Sequence, residues 1–298
     1  MNEYQRRGNF SFRNYFKRRV LRIWPLYYFI MLLAFVLFPL AAKLLNQTIS
    51  LPEPVYYLLF VANFYTAAHV FFLQFLWTIS VEEQFYLLWG VSLRFLEKNL
   101  YAIIGGLLLV SISFSIYAVL NDVKTYFNTL TYLLDFGLGA LAAILFFKKS
   151  RAVLWLSDLS KTSQVLFYGY LIPHFILFYF LNKYTNGDSN EFVALVNRYI
   201  VVIYVSLLIT EQVINEKRSR IFEKNRFLIY TGKISYGLYC FHGITITFIN
   251  ILLQYLNFEV VNGLLIIIYF TVNYFISYMS YTILEKPFLR LKAKWRRI

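Results

Sequence analysis

The chain is poor in charge, poorest in negative charge, and almost without cysteine. Charged residues make up 15% of its 298 positions, against about 25% in soluble domains. Acidic residues number 15, and basic ones 29. So little charge, beside 59% hydrophobic and 21% aromatic residues, excludes a disordered chain, a coiled coil and an ordinary cytosolic globule. Cys240 stands alone, which rules out an internal disulfide framework and any multi-cysteine metal site. His69, His174 and His242 leave little material for a zinc centre. The class that fits is an all-α, polytopic membrane bundle. The net charge of +14 would also suit a nucleic-acid binder, so the position of the charge has to decide.

A membrane helix needs about 20 mostly apolar residues. Residues 23–42, 99–121, 162–182, 234–258 and 260–284 meet that without a charged residue, and 125–147 does so around Asp135. A shorter span, 199–215, carries Glu211. The segment 55–96 is long enough to cross twice, but it contains Asn63, His69, Gln74, Glu82 and Glu83. If it crosses once, through WTISVEEQFYLLWGVSLRFL, 25 of the 29 lysines and arginines fall on one side. If it crosses twice, the split is 10 against 19. The positive-inside rule selects the single crossing. The expectation is therefore about eight spans with both termini cytoplasmic, and no nucleic-acid partner.

The basic head, residues 1–22, is too long and too charged for a cleavable signal peptide, so the first span is expected to act as a signal anchor. With short polar linkers and no internal repeat, one domain over 1–298 is the natural reading: head 1–22, bundle 23–284, basic tail 285–298.

Ionisable groups within spans are costly and by default face a bundle interior or cavity. Glu82 and Glu83 are adjacent on a helix, so they diverge by about 100° and are not expected to face one partner. Catalysis and a structural ion pair are both open to them. Asp135, in LLDFGLGAL, sits among small residues that allow close helix approach, so packing and a site are equally open. His242 is either a buried, hydrogen-bonded histidine or a base. His174 follows Pro173 and should line a kink. His69 could meet a substrate on the outer side, and Glu211 should pair with a cation. Arg18 and Arg22 are four apart and share a helix face at the cytoplasmic interface. Together with Arg19 they either anchor the helix or grip a phosphate of a nucleotide-type donor or an anionic lipid.

Four blocks in order, RRVLRIWPLYY (18–28), LWTISVEEQFYLLWG (76–90), ISYGLYCFHGITI (234–246) and SYTILEKPFLRLK (280–292), closely resemble the membrane-bound acyltransferase 3 family, the O-acetylases of bacterial surface polysaccharides and related glycans. The resemblance implies an acyltransferase of the bacterial cytoplasmic membrane. It would move an acyl group, commonly acetyl, from cytoplasmic acyl-CoA to a hydroxyl of a cell-surface or lipid-linked glycan, lipopolysaccharide included. Acetyl-CoA is then a donor substrate, and no permanently bound cofactor or metal is expected. Membrane lipid and glycan-assembly proteins complete the expected partners. Arg18, Arg19 and Arg22 match the family's arginine motif and are implied donor-binding residues. Glu82, Glu83 and His242 are the implied catalytic set. Trp77, Ser80, Phe85, Tyr86, Ser235 and Tyr236 match the motif positions around them, and Glu285, Lys286 and Pro287 match the last block.

Family members normally begin with two further helices, the first bearing an arginine and, ten residues later, a histidine taken as the base. Nothing in residues 1–17 matches them. The expectation is that the DNA just upstream encodes both helices in frame. Two alternative functions remain at this point: an inactive paralogue acting as a partner in glycan assembly, and a lipid-linked sugar transporter.

Overall fold

The structure is a computed structural model that describes residues 10–44, 50–65, 71–95, 99–184, 191–215 and 224–294. Among the described residues there is no strand. Seven helical stretches are long and apolar enough to cross a membrane: Phe12–Leu40, Leu100–Leu120, Thr129–Phe147, Lys161–Lys183, Phe192–Ile214, Arg226–Tyr255 and Asn262–Lys292. The chain is a multi-pass membrane helix bundle.

The ambiguous segment 55–96 contains one long helix, not two. Short helices α3 (Pro54–Leu58) and α4 (Phe71–Gln74) precede α5 (Trp77–Phe95). Helix α5 has 19 residues, and Glu82, Glu83 and Arg94 leave no 18-residue stretch of it with fewer than three charges. The first helix starts well upstream of the uncharged run. α1 (Phe12–Leu32) is capped by the Ser11 side chain, which accepts from the Asn14 N–H at 3.3 Å. It continues through a π-helical turn (Leu33–Leu37) into α2 (Phe38–Leu44).

The chain forms two compact units. One, residues 95–220, holds α6 (Leu100–Leu120), α7 (Thr129–Phe147), α8 (Arg151–Leu154), α9 (Lys161–Gly169), α10 (Leu171–Tyr184) and α11 (Glu191–Ile214). Helices α9 and α10 are one span broken at Tyr170. Pro173 has no N–H to offer the Gly169 carbonyl four residues back, so the ladder fails there. His174 lies just past the break, as its proline neighbour implied, with Nε2 2.8 Å from Asn197 Oδ1. A groove of about 430 Å³ runs between α7 and α11, lined by Gly139, Ala143, Val205 and Ile209 and closed at one end by Asp135.

The other unit, residues 6–94 and 221–298, holds α1 to α5 with α12 (Arg226–Tyr255), α13 (Asn262–Ser280), a π-helical turn (Tyr281–Glu285) and α14 (Lys286–Lys294). Lipid is as apolar as leucine, so close packing and hydrogen bonds hold such helices together. The core shows both. Leu26, Tyr27 and Ile30 of α1 are fully buried against Tyr57, Phe60, Leu73 and Leu76. Tyr27 stacks on Phe60 at 4.5 Å between ring centres, and its hydroxyl donates to the Tyr57 carbonyl at 2.8 Å. Phe60 itself takes φ 56°, a costly left-handed conformation for a bulky residue. Gln84 of α5 holds it there by donating to its carbonyl at 2.8 Å and to Asn63 Oδ1 at 2.7 Å. Gly243 of α12 lies against the Phe72 backbone, where an added Cβ would meet Phe72 Cα at 2.9 Å. Only glycine allows that approach.

Candidate active site

The second unit brings three of the four sequence blocks onto one another, and the fourth, on α12, packs beside them. Tyr15 begins the contact: its hydroxyl donates to the Tyr86 carbonyl of α5 at 3.3 Å. One turn along α1, the Arg19 guanidinium lies over the Tyr86 ring at 4.1 Å, a cation–π arrangement. Trp24 then donates its indole N–H to Glu83 Oε2 at 3.4 Å. The second oxygen, Glu83 Oε1, is buried with no hydrogen-bond partner among the described residues. Glu82 feels the charges of Arg19 and Arg22, and Glu83 also feels that of Arg19. Arg18 is half-buried on α1, whereas Arg22 is exposed.

Helix α12 closes the cluster. Tyr236 donates to the Ile23 carbonyl of α1 at 3.0 Å, and Cys240, one turn further along α12, is buried. Glu285, on the second π turn, is buried beside Gly237, Ser277 and Ser280 and feels the charge of Arg22. Trp77 opens α5 and is buried, and Ser80 is fully buried beside Tyr27. Phe85 is buried and stacks on Trp89 at 5.9 Å. Ser235 is exposed, its hydroxyl turned back to the Gly232 carbonyl of its own helix at 3.0 Å.

His242 stands apart from the arginines. Its ring packs against Phe75 at 4.2 Å, and Nδ1 donates to the Tyr239 carbonyl. That bond fixes the tautomer and leaves the lone pair on Nε2, the form a general base needs. Tyr239 is in turn held by Thr78 and the Phe75 carbonyl. His69 lies outside the described residues.

The two other candidate acids, Asp135 and Glu211, belong to the other unit. Asp135 forms an ion pair with Arg198 of α11, whose guanidinium also lies 4.9 Å from the Tyr132 ring. Sequence reasoning missed Arg198 because its apolar span was counted from Tyr199. An arginine only eight residues inside a helix of 24 was the signal. Glu211 is corrected: no cation pairs with it among the described residues. It is fully buried and accepts from the Tyr168 hydroxyl at 2.8 Å, Asn215 at 2.8 Å and Gln212 at 3.0 Å. Neutral donors satisfy the carboxylate without bringing a second charge out of water. Among the described residues no group of three or more His, Cys, Asp or Glu could hold a metal.

An acyltransferase domain model matches residues 4–282. ORF330 of Acidianus two-tailed virus, provisionally named an acetyltransferase, is 26% identical over 238 residues, covering 78% of this chain and 66% of its own length. SACOL0978 of Staphylococcus aureus strain COL, provisionally named an O-acetyltransferase, is 27% identical over 247 residues, covering 75% of this chain and 38% of its own length. SAS0844 of strain MSSA476 matches identically. The chain thus spans under two thirds of these relatives. No solved structure matches it significantly. A match across nearly the whole chain, over a bundle that gathers the arginine, Glu-Glu and Glu-Lys-Pro blocks, makes this chain a member of the membrane acyltransferase 3 family.

Proposed function

We propose that the chain is an O-acyltransferase that takes an acyl group, acetyl in the simplest case, from acyl-CoA and delivers it to a hydroxyl of a cell-envelope glycan, with the bacterial cytoplasmic membrane as its location. The observation that carries this reading is the packing of Arg19 on the Tyr86 ring and the Trp24–Glu83 hydrogen bond, which join the arginine and Glu-Glu blocks in one unit of a family member. Guanidiniums at the cytoplasmic end of α1 suit the phosphates of coenzyme A, which planar forks bind in pairs of hydrogen bonds. Family membership favours transfer over transport.

The reaction needs a base at the hydroxyl and donors at the thioester oxygen. In this reading the acceptor oxygen loses its proton as it attacks the thioester carbonyl. The tetrahedral oxyanion collapses, the C–S bond breaks, and the coenzyme leaves as a thiolate that takes up a proton. His242, with its lone pair on Nε2, is the base this chain offers at the acceptor, and Glu82 and Glu83 orient the donor side. A base contributes roughly 10²–10⁴-fold, so His242→Ala should lower transfer by that order. Mass spectrometry of surface glycans with and without the gene tests the acceptor class. O-acetyl groups should vanish on deletion and return with the gene. An unchanged acetylation pattern would refute the glycan assignment.

A further inference from the structure

The unit of residues 95–220 carries none of the four sequence blocks, yet it holds an ion pair within its spans, between Asp135 of α7 and Arg198 of α11. Charges inside spans are costly and by default serve a site. At 1.5 Å per residue, Asp135 lies about 9 Å and Arg198 about 10 Å from the starts of their helices. With both helices entering from outside, as the charge split requires, the pair sits just beneath the outer headgroups.

The pair is not saturated. Asp135 meets Arg198 through Oδ2, and its side chain is still 31% exposed. Arg198 uses Nη2, whereas its Nη1 is buried with no hydrogen-bond partner among the described residues. A buried N–H group of a cation calls for an acceptor.

The groove between α7 and α11 begins at Asp135 and runs away from the outer surface to Phe146 and Val213. Its walls are aliphatic. Thr210, on the α11 side, turns its hydroxyl to the Ser206 carbonyl of its own helix at 2.7 Å. Gly139 leaves the α7 side open, since an added Cβ there would meet nothing within 4 Å. From Asp135 to Phe146 the helical rise gives a length of about 17 Å. That is close to one leaflet of hydrocarbon, about 15 Å. Water in such a slot would lack the polar partners that hold buried waters, so a lipid chain is its natural filling.

The charged end selects the head of that lipid. Asp135 and Arg198 together are neutral, and they complement a head that carries both charges. A phosphate oxygen can accept from Arg198 Nη1 while an ammonium donates to the Asp135 carboxylate. A purely anionic head would meet Asp135 with no cation to offer it. We propose that this groove is a binding site for one zwitterionic phospholipid of the phosphatidylethanolamine type, with an acyl chain laid between α7 and α11.

The test is native mass spectrometry of the delipidated chain in detergent. The probes are phosphatidylethanolamine, phosphatidylcholine and phosphatidylglycerol with identical acyl chains. One phosphatidylethanolamine should be retained about tenfold more tightly than either other lipid, the usual worth of a hydrogen bond to a charged group. The methylated ammonium of phosphatidylcholine cannot donate that bond, and phosphatidylglycerol has no ammonium. Asp135→Asn removes the carboxylate but leaves the guanidinium, so it should turn the preference toward phosphatidylglycerol. A merely structural ion pair predicts no such reversal. Ala143→Phe fills the groove without touching the pair and should abolish retention of all three. If Ala143→Phe does not fold, Gly139→Leu takes its place. Equal retention of the three lipids by the unaltered chain, or retention that survives the filled groove, would overturn the proposal. So would a dimer that Ala143→Phe dissociates, which would give the groove to a second copy of the chain. A polyprenyl phosphate carried from the native membrane in place of phospholipid would overturn it too.

Discussion

Single residues decide how closely the helices of this bundle approach, and the glycines separate into two kinds. At Gly243 a side chain would collide with the backbone of Phe72, which cannot move aside as a flexible side chain could. Gly243→Ala should therefore lower stability by roughly 1–3 kcal/mol, the usual cost of overpacking, seen as a lower melting temperature in detergent. Gly106, on α6, has nothing within 4 Å of an added Cβ. Gly106→Ala should cost no stability, because alanine is the better helix former. The two glycines look alike in sequence; only tertiary packing tells them apart. The same holds for the charged residues. Glu82, Glu83 and the arginines of α1 were legible because they stand in distinctive blocks. Their partners Trp24 and Tyr86 could not be assigned, since aromatic residues are spread throughout this chain. Arg198 and Tyr168, one of the donors to Glu211, escaped because their pairings join residues 63 and 43 positions apart.

At the scale of elements, apolar length located the spans well. The limit was what happens inside them. Uncharged runs mark where lipid can be tolerated, but not where a helix widens or breaks, because that depends on individual hydrogen bonds. The π turns at Leu33–Leu37 and Tyr281–Glu285 left no trace in hydropathy. The break at Tyr170 did leave one, in Pro173. Pro173→Ala would restore a donor for the Gly169 carbonyl and should straighten α9 onto α10. Spin labels on the exposed positions Val165 and Phe180 should then move apart. An unchanged separation would show that packing, and not the missing N–H, sets the bend. For segment 55–96, local helix length and charge distribution agree: one long helix, α5, preceded by short ones. The charge argument has leverage there because moving one crossing reverses the side of every later loop.

The whole molecule carries 25 of its 29 basic residues on one side if the single crossing holds, and this is directly testable. In a Cys240→Ser background, Asn257→Cys should react with an impermeant thiol reagent in intact cells, and Lys292→Cys only after lysis. Labelling of Lys292→Cys from outside would overturn the orientation. Family and membrane character were thus readable from four blocks and the hydropathy, while the acceptor was not, since an acceptor is recognised by a three-dimensional surface that no linear block spells out. The central claim is acyl transfer, and the most direct measurement uses the purified chain in vesicles with acetyl-CoA labelled in its acetyl group and isolated envelope glycan. The account predicts label in base-labile ester linkage on the glycan, release of free coenzyme A in equal amount, and loss of both in Arg22→Ala and Glu82→Gln at unchanged protein level. Label remaining on acetyl-CoA with the unaltered chain, or transfer untouched by both substitutions, would contradict it.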